Sequence, residues 1–363
     1  MESDNKLFLL DAYALIYRAY YAFIKNPRIN SKGFNTSAIL GFVNTLEEVL
    51  KKENPSHIGV AFDPSGPTFR HEAFEQYKAQ REETPEAIRL SVPIIKDIIH
   101  AYRIPILEVA GYEADDVIGT LATEAGRQGI TTYMMTPDKD YGQLVTNNVF
   151  MYRPKHTGGF EVMGIEEVKA KFDIQSPAQV IDMLGLMGDA SDNIPGCPGV
   201  GEKTAQKLLA EFGTIENLLE NTDKLKGSLQ KKVTENTEQI RFSKFLATIK
   251  TDVPIQFDAA KCIREKVNEE RLVEIYTELE FRTFINRMDR EPEKAKTESK
   301  AAPAPAKTGT RKKAAPTGPI QGSLFEEFAA EPTTVPKYST LANLKSTPHT
   351  YHLVDTEEKR IEL

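Results

Sequence analysis

Three carboxylates crowd into four residues, Glu113, Asp115 and Asp116, within the stretch Gly111-Tyr112-Glu113-Ala114-Asp115-Asp116. Charges that close repel one another unless something positive lies among them. One reading is purely structural, because acids in a first helical turn favour the positive end of the helix dipole and cap free N–H groups. The other is a cation site, and repetition favours it. Asp11 ends the strand-like run Lys6 to Leu10, Asp63 ends His57 to Phe62, and Asp138 and Asp140 follow Thr131 to Thr136 across a proline. Asp189 and Asp192 sit in Gly188-Asp189-Ala190-Ser191-Asp192-Asn193, after a helical stretch. An all-oxygen set of this kind selects the hard cations Mg²⁺ or Mn²⁺, whereas zinc sites usually recruit His or Cys. The six histidines lie outside the acidic motifs. Two ions about 4 Å apart activate a water and stabilise the leaving oxygen of a phosphodiester, chemistry that needs many carboxylates and no nucleophilic Ser or Cys.

Such carboxylates, spread from Asp11 to Asp192, must be gathered by the fold. Strand-like and helical segments alternate from Lys6 to about Lys171, with helices expected at Tyr13–Phe23, Thr36–Glu53, Pro85–Tyr102 and Glu113–Gln128. That alternation predicts an α/β fold with a parallel sheet, whose strands bring their carboxyl ends to one ligand-binding edge. After Gly164 the β signal fades into short amphipathic helices, at Glu166–Phe172, Pro177–Met187, Lys203–Glu211 and Ile215–Glu220, with more to about Arg290. A mainly helical second module follows from that pattern.

Composition narrows the classes. The chain of 363 residues has room for two domains and a tail, and its formal charge of −7 does not exclude DNA, since cations bound by the nine acids would offset it. Only Cys197 and Cys262 are present, which suggests neither a disulfide framework nor a thiolate zinc site. No apolar run approaches the length of a membrane span, so a cytoplasmic, nucleoid-associated location is expected. From Glu291 to about Pro336 the chain shifts to Ala, Pro, Lys and Thr, a linker unable to bury enough apolar surface to order itself. Beyond it, Tyr351-His352-Leu353-Val354 reads as one strand before the sequence stops, the opening of a further domain.

Gly196-Cys197-Pro198-Gly199-Val200-Gly201-Glu202-Lys203-Thr204-Ala205 leads into a helix. Gly199 and Gly201 allow a tight hairpin whose N–H groups hold a DNA phosphate, with Lys203 and Lys207 adding charge and Thr204 in the motif. The alternative is an ordinary connection between helices. Between Asp63 and Pro85, Arg70, Lys78 and Arg81 mix with aromatics and acids. Either this is a solvated helix face, or its basic residues clamp phosphate while a base stacks on Tyr77.

In this order, Leu9-Leu10-Asp11, Phe62-Asp63, Phe69-Arg70-His71, Gly111 to Asp116, Thr136-Pro137-Asp138-Lys139-Asp140 and Gly188 to Gly196 resemble the flap endonuclease family of 5′ nucleases, over residues 6 to about 290. The resemblance implies a PIN-like core over 1–173, a helical DNA-binding module with a helix-hairpin-helix over 174–290, a disordered linker over 291–337, and over 338–363 the truncated start of a 3′-5′ exonuclease-like domain. It implies Mg²⁺-dependent cleavage of DNA bearing a 5′ flap, a nick or an RNA primer, in replication and excision repair, with no polymerase activity in this chain. By the same resemblance, Asp11, Asp63, Glu113, Asp115 and Asp116 form a first metal group and Asp138, Asp140, Asp189 and Asp192 a second, with Asp115 touching both. Lys78 matches the family's active-site lysine and Arg81 its neighbour, Arg18 and Arg70 match phosphate contacts, and Tyr77 matches a stacking residue. Gln321-Gly322-Ser323-Leu324-Phe325 resembles the Gln-x-x-Leu-Phe peptide that docks bacterial replication proteins on the sliding clamp; the alternative is that Leu324 and Phe325 pack on their own domain through Phe328. Two rivals stand beside the nuclease. One is a non-catalytic DNA-binding module tethering a missing catalytic domain, the other an RNA-cleaving PIN-domain toxin, which the hairpin and the length disfavour.

Overall fold

The computed structural model describes residues 5–155 and 159–288, all within one unit of the chain. The linker, the terminal segment and the residues Gln321, Leu324 and Phe325 lie outside them. Strand β1 (Lys6–Asp11) is apolar on both faces, as a central parallel strand must be. Helices α1 (Ala12–Ala22) and α2 (Ser37–Lys52) follow, then β2 (His57–Ala61), the short α3 (Phe69–Ala73) and α4 (Glu86–Ala101). The apolar run at Ile104 yields only a two-residue strand, β3 (Ile106–Leu107), before α5 (Ala114–Arg127), β4 (Thr131–Met135), β5 (Val149–Pro154) and β6 (Phe160–Met163). The rest is helical: α6 (Ile165–Phe172), α7 (Gln179–Met187), α8 (Glu202–Phe212), α9 (Ile215–Glu220), α10 (Gly227–Glu235), α11 (Thr237–Ala247), α12 (Ala259–Cys262) and α13 (Glu269–Glu278).

The six strands lie in the order β3-β2-β1-β4-β5-β6. All pairs are parallel except β5 with β6, an antiparallel edge that the sequence did not announce. Strand order reverses between β1 and β4, and an open parallel sheet has its ligand crevice at the carboxyl ends of such a pair.

Successive side chains of β1 point to opposite faces, as the strand period requires. Leu7 and Leu9 enter a core with α5 that runs on through Met183, Leu208 and Phe212 of the helical region. Phe8 and Leu10 enter a second core with α1, α2 and α4. Leu272, Ile275, Tyr276, Phe281 and Phe284 also belong to this second core, so the chain beyond α12 returns to the sheet layer. Asn268 N–H donates to the Ala101 carbonyl and Arg264 N–H to that of Ser56, fixing the return. Both cysteines are buried and free.

Candidate active site

The crevice between β1 and β4 is bridged by a hydrogen bond. Thr136 Oγ1 donates to Asp11 Oδ2 at 3.0 Å, while Asp11 Oδ1 accepts the Ala14 N–H and caps α1. Asp63, just past β2, accepts the Ala114 N–H at 2.8 Å. Asp138 follows β4 and accepts the Asp140 N–H at 3.0 Å. Tyr141, fully buried, donates to Asp115 Oδ1 at 3.3 Å. The loop after α7 brings Asp189, which accepts from the Ser191 N–H and hydroxyl, and Asp192. These acids share one field. Burial, then the charges of Asp63 and Asp138, push Asp11 up to about 7. Burial also raises Asp115, Asp138 and Asp140, with charge from Glu113, Asp138 and Asp11 acting on Asp115 and from Asp138, Asp189 and Asp192 on Asp140.

Positive side chains occupy the outer part of this acidic surface. Lys78 Nζ lies 2.6 Å from Glu113 Oε1 and 3.7 Å from Asp192 Oδ2. Arg81 Nη2 pairs with Asp192 Oδ1, and Lys139 Nζ with Asp189 Oδ2, both at 2.5 Å. Against the upward push of burial, Lys78 and Arg70 hold Glu113 below its ordinary value, and Lys139 and Ser191 do the same for Asp189. Among the described residues no three carboxylate, imidazole or thiol side chains close to the spacing of one ion's ligand set. The donor set is nonetheless all oxygen, and Asp140 Oδ1 is buried with no hydrogen-bond partner among the described residues. A buried carboxylate oxygen without a partner is costly, and a divalent cation is the partner that suits it.

Three residues behave otherwise than the sequence suggested. Arg70 is 2% exposed and bound on every side: Nη1 to Glu113 and Asp116, Nη2 to Asp116 and the Thr248 carbonyl, Nε to the Leu246 carbonyl. It has no donor left for a phosphate and acts as a structural counter-ion. Asp116 is fully buried, engaged by Arg70 and by the N–H groups of Lys250 and Glu113, so its oxygens are turned away from any ion shared with Asp115. Tyr77 is 3% exposed, its hydroxyl donating to Glu113 at 3.0 Å and Asp192 at 3.2 Å. A ring so enclosed offers no face to a base. Arg18 is half-buried on α1, with Glu48 as its charged neighbour.

The hairpin follows directly on the Asp189–Asp192 loop. Gly199 has φ +75°, Gly201 is the N-cap of α8, Lys203 and Lys207 are exposed and Thr204 is half-buried. Gly196, at φ +62°, packs so tightly on Gly188 that an added Cβ would lie 2.3 Å from the Gly188 nitrogen. Sequence reasoning missed Thr136, Lys139, Tyr141 and Lys232, whose ammonium lies against Gly199. Thr136 and Lys139 stood inside a quoted motif; Lys232 carried no local signal.

A mostly parallel sheet with an acidic carboxyl edge, continued by a helical module, is the architecture of a resolvase-like nuclease. Residues 6–173 match the N-terminal resolvase-like domain of 5′-3′ exonucleases and residues 175–270 their C-terminal SAM fold. The chain belongs to the 5′-3′ exonuclease family. It is similar to DNA polymerase I of Bacillus caldotenax, 40% identical over 288 residues, which are 78% of this chain and 32% of that protein. The chain thus aligns with about a third of that relative's length. A 5′-3′ exonuclease of Aquifex aeolicus is 35% identical over 284 residues, covering 78% of this chain and 95% of that protein. Among solved structures, the bacteriophage T5 D15 flap endonuclease, in a pseudo-enzyme-product complex with DNA and metal ions, superposes with a TM-score of 0.56 at 21% identity, over 76% of this chain and 100% of that one.

Proposed function

We propose that this chain is a structure-specific, divalent-metal-dependent 5′-3′ exonuclease and flap endonuclease on DNA, the N-terminal part of a DNA polymerase I, acting in primer removal and excision repair. What supports the reading is that Asp11, Asp63, Asp115, Asp138, Asp140 and Asp192, at and beyond the carboxyl ends of the strands, act on one another's charge, with Lys78 beside Asp192. These carboxylates would hold Mg²⁺ or Mn²⁺, which would supply Lewis-acid activation of water and offset charge on the scissile phosphate. The chain does the rest. Thr136 and the Ala14 N–H aim Asp11, Tyr141 aims Asp115, and the Asp140 N–H aims Asp138. The Lys78 ammonium lies against a member of each carboxylate group, Glu113 and Asp192, positioned to offset charge that builds on the phosphate. The hairpin with Lys203 and Lys207 grips duplex backbone without reading sequence. The linker peptide ending in Leu324 and Phe325 docks on the sliding clamp, a proposal that Leu324→Ala with Phe325→Ala tests by loss of clamp binding.

A 5′-flap duplex incubated with the pure chain in Mg²⁺ is cut at the junction; Asp115→Asn and Asp138→Asn each remove cleavage while DNA binding persists. Cleavage retained by both variants refutes the metal mechanism. No cleavage by the wild-type chain in Mg²⁺ or Mn²⁺ returns the reading to a non-catalytic DNA-binding module.

A further inference from the structure

The turn that carries Lys78 and the loop that carries Asp189 and Asp192 are more than a hundred residues apart, yet a row of hydrogen bonds joins them. Lys78 N–H donates to the Asp192 carbonyl at 3.0 Å. Asn193 Nδ2 donates to the Gln76 carbonyl at 2.7 Å. Gln80 Nε2 reaches the carbonyls of Ala190 and Ser191 at 2.7 and 3.1 Å, and Arg81 Nε reaches that of Ser191 at 3.3 Å. Two residues of this seam adopt left-handed backbone without being glycine, Lys78 at φ 56° and Asn193 at φ 58°. Asparagine tolerates that region better than most residues, whereas lysine is held there by its surroundings.

We propose that Asn193 is a positioning residue: its side-chain amide, helped by Gln80, fastens the Gln76–Arg81 turn to the loop of the second carboxylate group. The inference rests on the reading of Lys78 as the group that meets the scissile phosphate. The seam makes turn and loop one piece, so the distance from the Lys78 ammonium to Asp192 is set by backbone contacts rather than by two independently moving segments. Asn193 acts through Lys78, because its amide nitrogen donates to the Gln76 carbonyl, in the turn that carries Lys78.

The variant that isolates this role in the full chain is Asn193→Gly, which removes the amide and keeps the left-handed backbone available. With EDTA and no DNA, trypsin cuts after Lys78 and Arg81 on the order of fivefold faster than in the wild type, the equivalent of one lost hydrogen bond. In Mg²⁺ with a flap substrate, kcat falls on the order of tenfold with KM held within about twofold, the signature of misplacement rather than lost binding. In a Lys78→Met background, which has no ammonium to place, Asn193→Gly costs nothing further. An unchanged tryptic rate, an unchanged kcat, or an equal loss in both backgrounds overturns the proposal. If the wild-type chain cleaves no flap, the functional reading fails by itself, and the tryptic comparison still decides whether the seam exists.

Discussion

Arg70 and Asp116 meet through two parallel hydrogen bonds, Nη1 to Oδ2 and Nη2 to Oδ1, each 2.8 Å long, in a pocket where neither side chain is more than 2% exposed. The pair sits beneath Glu113, which Arg70 also contacts, and so ties the acidic surface to the helical region through the carbonyls of Leu246 and Thr248.

Removing one partner strands the other as a buried charge. Arg70→Met is expected to destabilise the fold by about 3–5 kcal/mol, read from urea unfolding. Lost DNA affinity at unchanged stability would instead return Arg70 to the phosphate-contacting role.

Tyr77→Phe separates two roles. A stacking ring would leave binding and stability untouched, since phenylalanine stacks equally well. The buried hydroxyl predicts a loss of about 1 kcal/mol in unfolding free energy, because two carboxylates lose a donor.

Stability should depend on pH in a direction that the carboxylates fix. Asp11, pushed up to about 7 by burial and by the charges of Asp63 and Asp138, holds a proton in the folded state over a range where the unfolded chain has released it. Its contribution is full below the unfolded pKa of about 4 and is lost as pH rises through 7. Asp115, Asp138 and Asp140 shift the same way. Glu113 and Asp189 shift down, so their contribution is lost only as pH falls below the ordinary carboxylate range. In EDTA, therefore, Tm falls as pH rises from about 4 through about 7, and Mg²⁺ restores more of it at the upper end. A Tm that rises with pH in EDTA contradicts the crowding.

Gly196 and Gly201 make opposite predictions. Alanine at Gly196 drives its Cβ into the Gly188 backbone at a positive φ, and should cost about 2–4 kcal/mol. Alanine at Gly201 meets nothing within 4 Å and should cost less than about 1 kcal/mol. Thermal unfolding of the two variants makes the comparison.

Much of the fold was legible because local pattern and tertiary fate agree. Asp11 closes an apolar strand and caps the next helix, and Gly201 precedes a periodic run that becomes α8. The parallel sheet followed from alternation, and the acids at strand ends pointed to one edge. Arg70 was not legible: a basic residue among aromatics reads as surface, and its burial is decided by carbonyls of residues 246 and 248, remote in sequence. The return of Leu272, Tyr276 and Phe284 to the second core was hidden for the same reason, since an amphipathic helix does not say which face it will cover. Tyr77 misled because Glu75, Gln76, Ala79 and Gln80 around it are exposed while its own ring turns inward.

Cys197 and Cys262 are the only cysteines in the chain, and both are shut inside it. Their thiols are held above the ordinary value, first by burial, and so react slowly with alkylating reagents. A fluorophore or spin label attached through Glu82→Cys, at an exposed position beside Arg81, would therefore mark that one place in an otherwise unaltered chain, and the motion of the turn could be watched in solution without first engineering a background free of competing sulfur.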